Sequence, residues 1–131
     1  RTAAAFGVTD IIITEHSSCR VTDTVIHVSC GGTEMVDIYY TKNLRTTIKT
    51  LTKNNVMVVA THVNADVLYY DLKYSNKTAL IVSNEHKGID ERILPEIHQQ
   101  VRIDLANPDI NSLNVSVATG VIISYPDFYK I

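Results

Sequence analysis

The chain has 131 residues, 45% of them apolar, with 12 Lys or Arg against 14 Asp or Glu and a formal net charge of −2. That length and apolar content suit one domain with its own core. The charge excludes a strongly basic nucleic-acid binder, so any RNA contact must come from basic residues gathered on one face or from elsewhere.

In chain order, DIIIT at 10–14 reads as a buried strand and VDIYY at 36–40 as a second. Residues 43–54 have helical period, with Leu44, Ile48 and Leu51 on one face and Lys42, Arg45, Lys49 and Lys53 on another. That basic stripe is a solvated helix face or an RNA track. Asn54 and Asn55 mark the helix exit. VMVVAT at 56–61 shows no polar alternation, as expected for a strand covered on both faces. TALIVS at 78–83 is a further strand, followed by the loop NEHKG, a short helix over 90–98 and a strand over 101–105. The helix over 113–125 is apolar on nearly all sides, which predicts burial. Strands alternating with helices predict an α/β fold, a mainly parallel sheet flanked by helices, as a single domain over 1–131.

In such sheets ligands bind beyond the carboxyl ends of the strands. Three polar loops leave strand ends, at 61–64, 83–88 and 105–112. Neither GxGxxG nor GxxxxGK[ST] occurs, so a dinucleotide fingerprint and a P-loop are both absent. The five histidines stand singly, without HExxH, and Cys19 and Cys30 form no CxxC pair. No protein-bound metal is expected. Isolated thiols suit a reducing compartment, the cytoplasm or an organelle matrix. No apolar run reaches the ~20 residues of a membrane helix, and RTAAAFG lacks a secretory pattern, so no membrane association is expected.

RTAAAFGV, ALIVSNEHKGI and SLNVSVATGVII resemble motifs 1, 2 and 3 of the SpoU-type (TrmH-like) RNA ribose 2′-O-methyltransferases of the SPOUT superfamily. CGGTE followed by VDI, and VVATHVNAD ahead of motif 2, resemble the intervening family segments. The resemblance implies a C-terminal deep trefoil knot, S-adenosylmethionine as cofactor, a homodimer and an RNA substrate. It assigns Arg1 to the reacting ribose and makes Arg1, Glu85, Ser112 and Asn114 the catalytic set. It places the cofactor against Thr61, His62, Ser83, Asn84, Glu85, Gly88, Ile103, Leu105, Ser112 and Leu113. The reaction it implies is attack of a ribose 2′-oxygen on the sulfonium methyl, with S-adenosylhomocysteine leaving. Arg1 suits a phosphate clamp better than a base, because guanidinium does not give up its proton in proteins. The substrate read from the motif 2 region is a tRNA guanosine. A large-subunit rRNA guanosine, as in 23S rRNA, is the alternative, with a non-catalytic RNA-binding member beside it.

Three features depart from the family pattern. Ser83 stands where motif 2 has glycine, and Ile103-Asp104-Leu105 stands where the family has Ile-Pro-Met. The sequence starts at the motif 1 arginine, so the family's first strand and any N-terminal RNA-binding extension are expected to be lacking. Plainer readings stand beside these. Ser112 serves as a helix N-cap, Glu85 as a solvated carboxylate, and His62 and His86 as ordinary loop residues. A generic α/β small-molecule binder would leave SLNVSVA unexplained.

Overall fold

The computed structural model describes residues 1–16, 20–83 and 88–128. The chain forms two compact units, Arg1–Leu44 and Arg45–Ile131.

The first unit contains α1 (Thr2–Ala5), β1 (Asp10–Thr14), α2 (Asp23–Val28), a 3-10 turn at Gly32–Glu34 and β2 (Asp37–Thr41). β1 and β2 pair in parallel, from Asp10 opposite Asp37 to Thr14 opposite Thr41. The Thr22 side chain accepts from Val25 N at 3.3 Å and caps α2, with Asp23 in the first turn beside the positive helix end. Full burial of DIIIT is not observed. One face of the pair carries half-buried Ile11, Ile13 and Ile38. The other carries Asp10, Ile12, Asp37 and Tyr39, and there Ile12 is 39% and Tyr39 51% exposed. Asp37, and then Asp10, raise the pKa of the Tyr39 phenol. Three consecutive isoleucines hide the alternation that would have signalled half-burial.

The second unit contains α3 (Leu44–Lys53, with its first residue at the boundary), β3 (Met57–Thr61), β4 (Val67–Leu68), β5 (Thr78–Ile81), a 3-10 helix at Glu91–Glu96, β6 (Gln99–Arg102) and α4 (Val115–Ile123). α3 ends where two asparagines suggested. Asn55 has φ +61°, Asn55 N donates to Thr52 O and Val56 N to Leu51 O, both at 3.0 Å. That pair of bonds is a Schellman ending, with asparagine in the place glycine usually takes. β3 lies at the centre of a parallel sheet ordered β4-β6-β3-β5. Its Val58, Val59 and Ala60 are fully buried, as its apolar run predicts. Val59 packs with Tyr74, Val101 and Ile122 in the core.

β3 and β4 are joined by residues 62–66 alone, yet β6 is hydrogen-bonded between them. Val101 has Thr61 on one side and Val67 on the other. The connecting loop therefore crosses β6, and Arg102 Nη1 donates to Ala65 O at 3.3 Å to hold it there. Asn64, Ala65 and Asp66 face Ile97–Gln100 across an open cleft of about 330 Å³.

Several boundaries shift. The strand expected over 101–105 runs from Gln99 to Arg102, because Gln99 and Gln100 pair with Val59 and Ala60 through backbone alone. The helix over 90–98 is a 3-10 helix containing Pro95, started by Asp90, whose side chain accepts from Arg92 N at 2.9 Å. α4 starts at Val115, two residues later than expected, and its N-cap is Asn114 rather than Ser112. Burial of α4 on all sides is also overturned. Ile122 and Ile123 are buried, whereas Val115 and Val117 are 41% and 53% exposed.

Candidate functional site

Parallel pairing brings three strand ends level. Ala60 pairs with Ile81 and Thr61 with Val101, so β3, β5 and β6 release their chains at one edge of the sheet. Thr61 Oγ1 donates to Ile81 O at 3.4 Å across that edge. His62 N extends the ladder to Val101 O at 2.9 Å, and its Nδ1 accepts from Asn64 N at 3.1 Å. Accepting at Nδ1 puts the neutral ring's proton on Nε2 and fixes the imidazole in the turn. It favours the plainer reading of His62, a residue that shapes the loop.

Ser83 lies half-buried two residues beyond β5, and Gly88 has φ +60°. The catalytic and cofactor assignments to Asn84 and Glu85 fall outside the described residues. Ile103 is half-buried and packs on the core cluster. Leu105, Ser112 and Leu113 are half-buried, and Asp104 is exposed.

Asn114 is exposed at the start of α4, and its Oδ1 accepts from Ser116 N at 2.9 Å and Val117 N at 3.4 Å. The bonds orient the amide with oxygen toward the helix and both Nδ2 protons away from it. α4 is tied to the sheet at its other end. Ile122 packs on Val59 and Val101, Tyr125 Oη donates to Tyr70 O at 2.9 Å, and Asp127 Oδ2 accepts from Tyr74 N at 2.9 Å.

Thr61, His62, Ser83, Ile103 and Leu105 are thus grouped at one sheet edge. Ser112, Leu113 and Asn114 lie on the segment leading from that edge into α4. Arg1 belongs to the first unit, where it precedes α1 with an exposed side chain. The basic stripe on α3 is partly neutralised. Arg45 Nε and Lys49 Nζ lie 3.4 and 3.8 Å from Glu96 Oε1. No local signal announces that pairing, because Glu96 arrives from the 3-10 helix far along the chain. Buried Gly32 and the crossing loop's buried Ala65 lie within CGGTE and VVATHVNAD, where the sequence assigns them no individual role. The Gly-Gly pair was the available signal for the first; nothing local marks the second.

No helix among the described residues is long and apolar enough to cross a membrane. Residues 1–124 match the model of the SpoU rRNA Methylase family. The chain is 35% identical over 121 residues to the 23S rRNA (guanosine-2′-O-)-methyltransferase of Pseudomonas aeruginosa, covering 92% of this chain and 48% of the relative. An uncharacterized tRNA/rRNA methyltransferase homologue from Mycoplasma pneumoniae is also 35% identical, over 94% of this chain and 51% of its own length. The chain therefore spans about half the length of these relatives. Among solved structures, an AdoMet-bound rRNA methyltransferase from Sinorhizobium meliloti superposes with a TM-score of 0.87 at 26% identity, over 100% of this chain and 50% of that one. A TrmH/SpoU tRNA modifying enzyme from A. aeolicus gives 0.82 at 25% identity, over 96% and 64%. With the three motifs in order and the family match running through both units, the chain belongs to the SpoU rRNA methylase family, within the SPOUT superfamily.

Proposed function

We propose that this chain transfers a methyl group from S-adenosylmethionine to a ribose 2′-hydroxyl of RNA, and that residues 1–131 act as one methyltransferase domain. The observation that carries this reading is the meeting of the β3, β5 and β6 ends, where Thr61, Ser83 and Ile103–Leu105 gather. The fit to the cofactor is chemical. Half-buried Ile103, Leu105 and Leu113 offer apolar surface suited to adenine, and Thr61, Ser83, Ser112 and Asn114 offer polar groups beside it. When bound, S-adenosylmethionine supplies a methyl group made electrophilic by its sulfonium.

The protein's part is to bind, orient and stabilise charge. Asn114 Nδ2 is left free to donate by the bonds that occupy Oδ1. Arg1 clamps an RNA phosphate and supports the alkoxide that develops as the 2′-hydroxyl passes its proton to that phosphate or to water. Positioning supplies much of the rate, since fixing two reactants is worth roughly 7–11 kcal/mol. Glu85 belongs to the catalytic set that the family resemblance assigns. Two copies pair through the N-terminal half of α4, a reading supported by exposed Val115 and Val117 beside small Ala118 and Gly120. The C-terminal segment is threaded as a knot, a reading supported by the insertion of β6 beneath the loop over 62–66. The Pseudomonas aeruginosa relative's name supports an rRNA guanosine as substrate, and the A. aeolicus tRNA modifying enzyme keeps tRNA as the second reading.

Calorimetry with S-adenosylmethionine, then labelled-methyl transfer to rRNA and tRNA, tests this reading. Micromolar binding weakened by Asn114→Ala, followed by transfer to one RNA class, is the expected result. A folded chain that neither binds nor transfers refutes catalysis by residues 1–131 alone and favours a non-catalytic RNA-binding role for them, the outcome that Ser83 and Asp104 would then explain.

A further inference from the structure

Gly32 is buried, although it opens a surface 3-10 turn. A Cβ built on it would stand 3.1 Å from Arg1 Cα, 3.2 Å from Arg1 N and 3.6 Å from Ala4 Cβ. The backbone of Arg1 therefore rests directly on the Cα of Gly32. The turn that presents Gly32 is itself well determined. Cys30 and Gly31 both take positive φ, +50° and +84°. The Ser29 hydroxyl donates to Ile26 O at 2.8 Å and accepts from Thr33 N at 3.4 Å, while Gly32 N donates to Ser29 O at 3.1 Å. The two glycines have different work. A Cβ at Gly31 would meet nothing within 4 Å, so that glycine serves the left-handed backbone. Gly32 needs no unusual φ; its missing side chain makes room for Arg1.

We propose that Gly32 is a positioning residue for methyl transfer, seating the backbone of Arg1 so that its guanidinium reaches the reacting ribose. The proposal rests on the methyltransferase reading above. A methyl at position 32 displaces the Arg1 backbone by a few tenths of an ångström. A branched side chain displaces it further, and misplacement of about 1 Å can cost roughly 100-fold in rate. α1 continues directly from Arg1, so the displacement is passed to the start of that helix.

Kinetics on the full chain tests this, with Arg1→Ala, Gly32→Ala, Gly32→Val and the double variant Arg1→Ala/Gly32→Val. The expected result is a kcat lowered about 100-fold in Gly32→Val, with S-adenosylmethionine affinity unchanged. Gly32→Ala should lie between this variant and the parent. If Gly32 acts through Arg1, the double variant is no slower than Arg1→Ala alone. Multiplied losses in the double variant, or a Gly32→Val as active as the parent, overturn the proposal. Thermal melting reports whether Gly32→Val folds; if it does not, Gly32→Ala and its double carry the same comparison. A parent chain that transfers no methyl refutes the methyltransferase reading itself, and the proposal falls with it.

Discussion

At the scale of single residues, Asn114 separates two jobs that one side chain combines. Its Oδ1 caps α4 and its Nδ2 is left to donate. Asn114→Asp keeps the cap, since aspartate is as good an N-cap as asparagine, but replaces the donor with an acceptor. Melting temperature should stay at the parent value while methyl transfer falls about 100-fold, the typical loss of one charge-stabilising donor. Asn114→Ala should lose both, with about 1 kcal/mol of stability gone. An Asn114→Asp that transfers methyl normally would confine the residue to capping. Tyr74 makes a second residue-scale prediction. It is buried, its hydroxyl donates to Tyr69 O at 2.6 Å, and burial raises its pKa from 10.0 to about 12. The folded state holds the phenol's proton more tightly than the unfolded state does. The associated stability is complete below pH 10 and is lost as pH rises toward 12. That gap is worth about 2–3 kcal/mol. Chemical denaturation should show stability falling over this range, and Tyr74→Phe should flatten the fall while lowering stability at neutral pH through the lost hydrogen bond.

At the scale of elements, the α3 ending shows what a sequence can specify locally. Asn55 holds φ +61° inside a Schellman ending. Asn55→Gly should be neutral or slightly stabilising, whereas Asn55→Val should cost about 1–2 kcal/mol because a β-branched residue resists the left-handed region. Urea midpoints decide, and equal midpoints for the two variants would deny the ending its energetic role. α3 and β3 were legible because each signal is local: a 3.6-residue period stopped by asparagines, and an unbroken apolar run. β4 was not, since Val67–Leu68 is a strand only because β6 lies beside it. The start of β6 was missed for the same reason, Gln99 and Gln100 being recruited by the backbone of β3. The candidate site divides along this line too. Thr61 and Ser83 follow from the rule that ligands meet strand ends. The choice of Asn114 over Ser112 as cap depends on where α4 begins. The Glu96 clamp on Arg45 and Lys49 and the seat of Arg1 on Gly32 depend on tertiary approach, which no local pattern encodes.

At the scale of the whole molecule, charge and topology set the remaining expectations. With a net charge of −2, and with Arg45 and Lys49 both beside Glu96, the chain lacks the strong positive balance that drives non-specific RNA affinity. If RNA is the substrate proposed above, its recognition depends on well-placed contacts rather than on a general field. Topology governs how the molecule forms. Val59 pairs with Gln99, and Val67 with Val101, so the central strands cannot assemble until distant segments meet. β6 must also enter between β3 and β4 beneath the loop over 62–66, and Ile122 must then close the core from beyond β6. Parallel, long-range pairing is slow because loop closure precedes any contact that rewards it. Refolding from denaturant should therefore take seconds or longer, against the micro- to milliseconds of locally connected folds. Pro95, Pro108 and Pro126 offer a competing cause of slowness. Brief unfolding pulses, which leave the prolines in their native isomers, remove it. A slow phase that survives such pulses and does not depend on protein concentration would trace to threading within one chain. Millisecond refolding under the same conditions would mean that β6 slips into place freely and that the crossing loop is no barrier.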